Sequence, residues 1–249
     1  MRSLLALPLA LLLLAQLLLL GLMSLVWNLI ALLLHPLLPR ERGLAVGRAG
    51  IAYGYRLYWS LVAPFGMLRL DAGALDALRD EPRLIIVANH PSLLDALLLV
   101  ARLPRSACIM KASLMRNPFL GAGARLARYI RNDSTRGMVR LAVEDLKAGG
   151  QLVVFPEGTR TTQAPVNPFR PGVTLIAKLA EAPIQTVFID TDSPYLSKGW
   201  PLWKLPPLPI AFKVRLGERF APGEDPTALL AELERHIAAG VKQRPAAAA

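Results

Sequence analysis

The sequence predicts an α/β fold, a single mixed, largely parallel sheet flanked by helices, preceded by an N-terminal hydrophobic helical membrane anchor. Three observations predict it. Residues 3–34 are leucine-rich and carry no charge. After Asp71, short wholly apolar runs alternate with amphipathic stretches, the pattern of strands exchanging with helices. Runs such as Leu84-Ile85-Ile86-Val87-Ala88 are apolar at every position, as suits strands covered by helices on both faces.

Composition bounds the rest. A chain of 249 residues supports one sizeable core with an appendage. With 53% apolar residues it is too greasy for an ordinary soluble enzyme, and with 19% charged residues too polar for a polytopic transporter. The net charge of +11 seeks anions: a bilayer surface, a phosphorylated substrate or nucleic acid. Nucleic acid is not an expected partner, because the arginines are spread along a greasy chain without a recognisable binding motif. The lone Cys108 precludes an intramolecular disulfide, suits a reducing compartment, and leaves no cysteine cluster with zinc spacing, so no metal site is expected.

The anchor comes first. The run to Leu34 is broken only by Pro8, Gln16, Gly21, Ser24 and Asn28, and it exceeds the roughly 20 apolar residues that cross a bilayer. A cleaved signal peptide is the alternative; the run overshoots the usual length, and no small-x-small site follows. Arg40, Arg42, Arg48 and Arg56 lie beyond it against Arg2 alone before it, which places the bulk of the chain at the cytoplasmic face of the inner membrane. Residues 43–64 read as a second helix, either interfacial through Tyr53, Tyr55, Tyr58 and Trp59 or part of a core. The expected division is an anchor over residues 1–64, an α/β domain over 65–244 and a frayed tail over 245–249.

Within the domain, strands are expected at 84–88, 152–155, 184–189 and 210–216. Helices are expected at 92–102 behind Pro91, from the Asp133-Ser134-Thr135 caps to Lys147, over 171–181, and after Asp225-Pro226 with Leu229, Leu230, Leu233 and Ile237 on one face. Gly149-Gly150 ends the second of these.

Two segments carry chemistry. Asn89-His90-Pro91-Ser92-Leu93-Leu94-Asp95 follows a buried strand. Residues five apart do not share a helical face, but Pro91 disfavours helical geometry at His90, so Asp95 can reach back from the helix to the imidazole. A carboxylate on one ring nitrogen leaves the other free to accept a proton, the requirement for a general base. The competing reading is a capped helix start with an incidental first-turn acid. Phe155-Pro156-Glu157-Gly158-Thr159-Arg160 also follows a buried strand, at the sheet edge where α/β folds bind ligands. Arg160 suits phosphate, and Glu157 suits substrate hydroxyls or the ordering of the arginine. A surface turn with an ion pair is the alternative.

In this order, about sixty-five residues apart, the two segments resemble the glycerolipid acyltransferase family, which includes the bacterial 1-acylglycerol-3-phosphate acyltransferases. Asn89, His90 and Asp95 match its N-H-x-x-x-x-D motif, and residues 155–160 match F-P-E-G-T-R throughout. The resemblance implies direct transfer of a fatty acyl group from acyl-CoA or acyl carrier protein to the hydroxyl of lysophosphatidate or a related lysophospholipid. It implies His90 as base and Asp95 as its orienting acid, with Glu157, Gly158, Thr159 and Arg160 on the acceptor. No cofactor is expected beyond the thioester co-substrate. Lys111 and Arg131 fall in the family's second block as further acceptor ligands, but the usual Asp-Arg pair there is replaced by Arg131-Asn132-Asp133. That departure leaves the acceptor open: a lyso-ornithine lipid or another specialised lipid is an alternative, as are a thioesterase and a non-catalytic anionic-lipid binder. A loop over 193–209, with Trp200 and Trp203, reads either as an interfacial flap or as a surface loop pinned by its aromatic residues.

Overall fold

The computed structural model describes residues 6–242; Arg2 and the tail over 245–249 lie outside them. The chain runs through α1 (Ala6–Leu37), α2 (Arg40–Val62), β1 (Leu68–Asp71), β2 (Leu84–Ala88), α3 (Asp95–Arg102), β3 (Ser106–Met110), α4 (Gly121–Leu126) and β4 (Ile130–Arg131). It continues through α5 (Thr135–Lys147), β5 (Gln151–Val154), α6 (Gly172–Ala180), β6 (Ile184–Asp190), β7 (Ile210–Phe220) and α7 (Pro226–Lys242). The seven strands form one sheet in the order β1-β7-β6-β2-β5-β3-β4. Every neighbouring pair is parallel except β6 with β7. The mixed, largely parallel sheet expected from the sequence is therefore present.

Strand alternation divides the core into two layers. Leu84, Ile86 and Ala88 of β2 face a layer that contains Tyr58, Trp59 and Val62 of α2 and Leu98 and Leu99 of α3. Ile85 and Val87 face the other layer, with Val139 and Leu146 of α5, Ile176 of α6 and Leu233 and Ile237 of α7. β2 is buried at all five positions, which is why it reads as an unbroken apolar run. Local signals set the helix ends. The Ser134 hydroxyl accepts from the Gly137 amide at 3.1 Å to open α5, and Asp225 accepts from the Thr227 amide at 2.8 Å to open α7.

The second helix has a core face, with Tyr58 1% exposed and Trp59 9%, and an outward face on which Tyr53 is 62% exposed. The boundary at residue 64 falls between α2 and β1, but both N-terminal helices pack onto the α/β domain. α1 buries Leu13, Gln16, Asn28 and Ala31. The Asn28 Oδ1 accepts from the amides of Ala122 and Gly123 at 2.7 and 3.0 Å, capping α4 from outside. Trp27 lies so close to Gly50 of α2 that a Cβ there would fall 2.1 Å from its ring. Leu9, Leu12, Leu17, Leu19, Leu20 and Met23 are partly buried against the core, while on the outer face Leu7, Leu11, Leu18, Leu22, Leu29 and Leu33 are all more than half uncovered.

Two expectations need correction. The helix expected at residue 92 begins at Asp95, because other groups take the preceding amides: Ser92 donates to the Asp95 carboxylate and Leu93 to the Leu196 carbonyl. Strands β1, β3 and β4, which the sequence patterns do not predict, complete the sheet.

Candidate active site

Strands β2, β5, β3 and β4 run parallel, so the loops after them open at one sheet edge. His90 leaves β2 through Asn89, whose side chain continues the ladder: its Nδ2 donates to the Ile189 carbonyl at 3.0 Å, and its Oδ1 accepts from the Ile189 amide at 2.8 Å. That double bond fixes the point at which the chain leaves the sheet. His90 Nδ1 then meets Asp95 Oδ2 at 2.9 Å, with the imidazole side chain 16% exposed and the carboxylate wholly buried. The same Oδ2 accepts from the Ser92 amide at 2.7 Å. The Phe155 ring stacks on the imidazole with centroids 4.1 Å apart and planes 21° apart. With Nδ1–H donated to the carboxylate, Nε2 is the ring nitrogen able to accept a proton.

Burial pushes the Asp95 carboxyl up to about 6, against the pull of the His90 hydrogen bond. Its Oδ1 is buried without a partner among the described residues, which adds to the cost of the charged form.

The second segment is bonded directly to the first. Glu157, 3% exposed, accepts from the His90 amide at 3.0 Å and the Thr161 hydroxyl at 2.8 Å through Oε1, and from the Asn167 amide at 2.8 Å through Oε2. The Thr161 amide donates back to the His90 carbonyl at 2.8 Å. Glu157 therefore acts first as the clasp between the two loops. Gly158 sits at φ +69°, a conformation that favours glycine, and the Arg170 side chain occupies the space where a Cβ would project. Gly158 is exposed, and Thr159 and Arg160 are half-buried beside it. Arg160 Nη1 donates to the carbonyls of Leu196 and Ser197 at 2.8 and 3.0 Å.

The structure thus brings together His90, Asp95, Glu157, Gly158, Thr159 and Arg160. Lys111 follows β3 and Arg131 ends β4 on the same edge, two and three strands from β2, hence about 10 and 14 Å away at the backbone. Both are exposed, and Arg131 lies 3.4 Å from Asp133. Among the described residues no group of His, Cys, Asp and Glu is arranged to hold a metal ion.

Sequence reasoning missed Ser92, Thr161 and Asn167. Asn167 Oδ1 gathers the Thr162 and Gln163 amides at 3.0 and 3.1 Å, and its Nδ2 donates to the Arg160 carbonyl at 3.2 Å, so it shapes the loop that presents the guanidinium. It lies seven residues past the F-P-E-G-T-R segment with no local pattern to mark it.

Comparison with known proteins bears on this arrangement. An acyltransferase family model matches residues 69–190, which include both segments. The 1-acyl-sn-glycerol-3-phosphate acyltransferase of Cocos nucifera is 29% identical over 170 residues, 65% of this chain and 52% of the coconut protein, so the match spans about half of that relative. The enzyme of the same name from Pseudomonas aeruginosa is 25% identical over 233 residues, 91% of this chain and 87% of the relative. The crystal structure of the 1-acyl-sn-glycerophosphate acyltransferase PlsC from Thermotoga maritima superposes with a TM-score of 0.72 at 25% identity, covering 99% of this chain and 100% of that one. Since the matched region holds the two bonded loops and the whole fold is shared, the chain belongs to the glycerolipid acyltransferase family.

Proposed function

We propose that this protein transfers a fatty acyl group from acyl-CoA or acyl carrier protein to the free hydroxyl of lysophosphatidate, with His90 as general base. His90 Nε2 takes the hydroxyl proton as the oxygen attacks the thioester carbonyl. The tetrahedral intermediate collapses, the carbon–sulfur bond breaks, and the departing thiolate takes that proton back from the imidazolium. Asp95 holds the tautomer and stabilises the transient cation. Arg160, on the adjoining loop with Gly158 and Thr159, binds the acceptor phosphate, and Lys111 and Arg131 supply further positive charge on the same edge. The observation that carries this reading is the hydrogen bond from the His90 amide to Glu157, which ties the base and the guanidinium loop into one site. Both relatives named above carry the same enzyme name, which supports lysophosphatidate as acceptor.

The membrane is part of the reading. α1 has the length and hydropathy to cross a bilayer. However, it is docked on the domain from Leu13 to Ala31, and its polar Gln16 and Asn28 face protein. A helix held so along about 27 Å of its length would drag α4 and the middle of α2, with Arg56, into hydrocarbon if it crossed. It therefore lies along one leaflet with its exposed leucines in the acyl region, and the site faces the cytoplasm.

The test is thiol release from an acyl thioester with and without acceptor. Release that requires lysophosphatidate, and falls about a hundredfold to ten-thousandfold in a folded His90→Ala variant, is expected. Release without acceptor points to a thioesterase, and turnover only with a different lysolipid reassigns the acceptor.

A further inference from the structure

The loop between β6 and β7, residues 191–209, is fixed at its base to both site segments. The Ser92 hydroxyl donates to the Tyr195 carbonyl at 3.0 Å, and the Leu93 amide to the Leu196 carbonyl at 3.0 Å. Arg160 donates to the Leu196 and Ser197 carbonyls. Tyr195 and Leu196 are buried at 1% and 3% exposure, so this base is anchored in the core.

The tip is different. Leu202 is 53% exposed, and Trp203, at 78%, is the most exposed large hydrophobic side chain among the described residues. Lys204 lies over the Trp200 ring at 4.8 Å, and Lys198 adds a second cation before the tip. The returning chain passes beside α1: the Ile210 amide donates to the Met67 carbonyl at 2.8 Å, and Met67 Sδ receives Gln16 Nε2 of α1 at 3.9 Å. The exposed Phe65 lies two residues from that contact, and Leu11 and Leu14 flank Gln16 on α1. Trp200, Leu205 and Leu208, which bracket the tip, pack on the same core cluster as Leu9, Leu12 and Leu13 of α1. Tryptophan with lysine at its side is the chemistry of the headgroup level, where an amphipathic ring and anionic phosphates meet.

We propose that Leu202 and Trp203 form a second contact with the bilayer, in the leaflet that receives α1, and that, because the loop base is fixed, this contact sets the depth at which Arg160 is held against the membrane. The proposal rests on the assignment of α1 to the membrane and of Arg160 to the acceptor phosphate. Seating the tip in the bilayer fixes the height of the loop, and the loop base holds the guanidinium through two carbonyls. Arg160 is thereby presented to a phosphate lying at the same depth.

The experiment uses the full chain reconstituted in vesicles of phosphatidylcholine and phosphatidylglycerol. The fluorescence of the Trp203→Phe variant, subtracted from that of the unmodified protein, isolates the Trp203 emission. It is expected to be quenched by lipids brominated near the headgroup. Trp203→Ala is expected to raise the KM for vesicle-borne acceptor roughly tenfold, in line with removal of a half-immersed indole, with kcat unchanged. Its turnover of a short-chain acceptor dissolved as monomer should equal that of the unmodified protein. Unquenched Trp203 emission overturns the contact; quenching with unaltered KM, or an equal loss on both acceptors, overturns the link to Arg160. If no lysolipid is acylated by any form of the protein, the proposed activity fails, and the quenching still decides the contact.

Discussion

Asp95 holds opposing demands in one carboxyl. In the proposed reaction it must be charged to steady an imidazolium, yet it is wholly buried, and burial pushes it up to about 6. Activity should therefore fall as pH drops through about 6, where the Asp95 carboxylate takes up a proton, and a pH profile of kcat/KM checks this. Because the folded value lies above the ordinary 3.8, the folded state holds this proton more tightly. The resulting stability is present below about 4 and lost as pH rises to about 6. Melting curves of the unmodified protein and Asp95→Asn across that window should show the decline only in the former. His90 and Asp95 were legible as a pair because Pro91 dictates the turn between them. The role of Glu157 as a clasp was not legible, since Thr161 and Asn167 donate to it from a loop whose shape the sequence does not encode locally.

Arg48 shows what element-level reading misses. By position it counts among the positive charges after a greasy run, but α2 turns it inward, where its side chain is 3% exposed. There it donates to the carbonyls of Ala127 and Arg105 at 3.1 and 2.8 Å and pairs with Asp145 at 2.6 Å. It thus bolts α2 to the chain around α4, β3 and α5. Arg48→Ala leaves Asp145, itself only 13% exposed, without its cation, and should cost about 3–5 kcal/mol in a denaturant or thermal melt. Arg48→Lys should recover little of that, because an ammonium lacks the planar fork that reaches three acceptors. None of these partners lies within fifty residues of Arg48, so no local pattern announces them. Strand legibility follows the same logic. β2 and β5 are buried on both faces and read as mainly apolar runs, and β6 is equally buried although it carries Gln185 and Thr186. β4 is a two-residue edge strand, β1 an edge strand containing Arg69, and β3 opens on Ser106-Ala107-Cys108, so pattern alone finds none of them.

For the molecule as a whole, charge and grease attract the same partner by different physics. In the proposed membrane reading, the excess of positive charge draws the protein to an anionic surface over a distance that salt shortens, whereas the leucines of α1 act only on contact. Association with phosphatidylglycerol vesicles, followed by light scattering or energy transfer, should slow severalfold between about 0.05 and 0.5 M salt. Association with phosphatidylcholine vesicles should be nearly indifferent to it. α1 also bears on how the protein is made. Its partners at Met67 and in α4, which meet Gln16 and Asn28, lie later in the chain and are made after it. In the proposed membrane reading, the nascent chain holds this helix in lipid while the rest of the fold is completed around it. Deleting α1 to obtain a soluble form would instead uncover the trench that holds Trp27, and the product should aggregate.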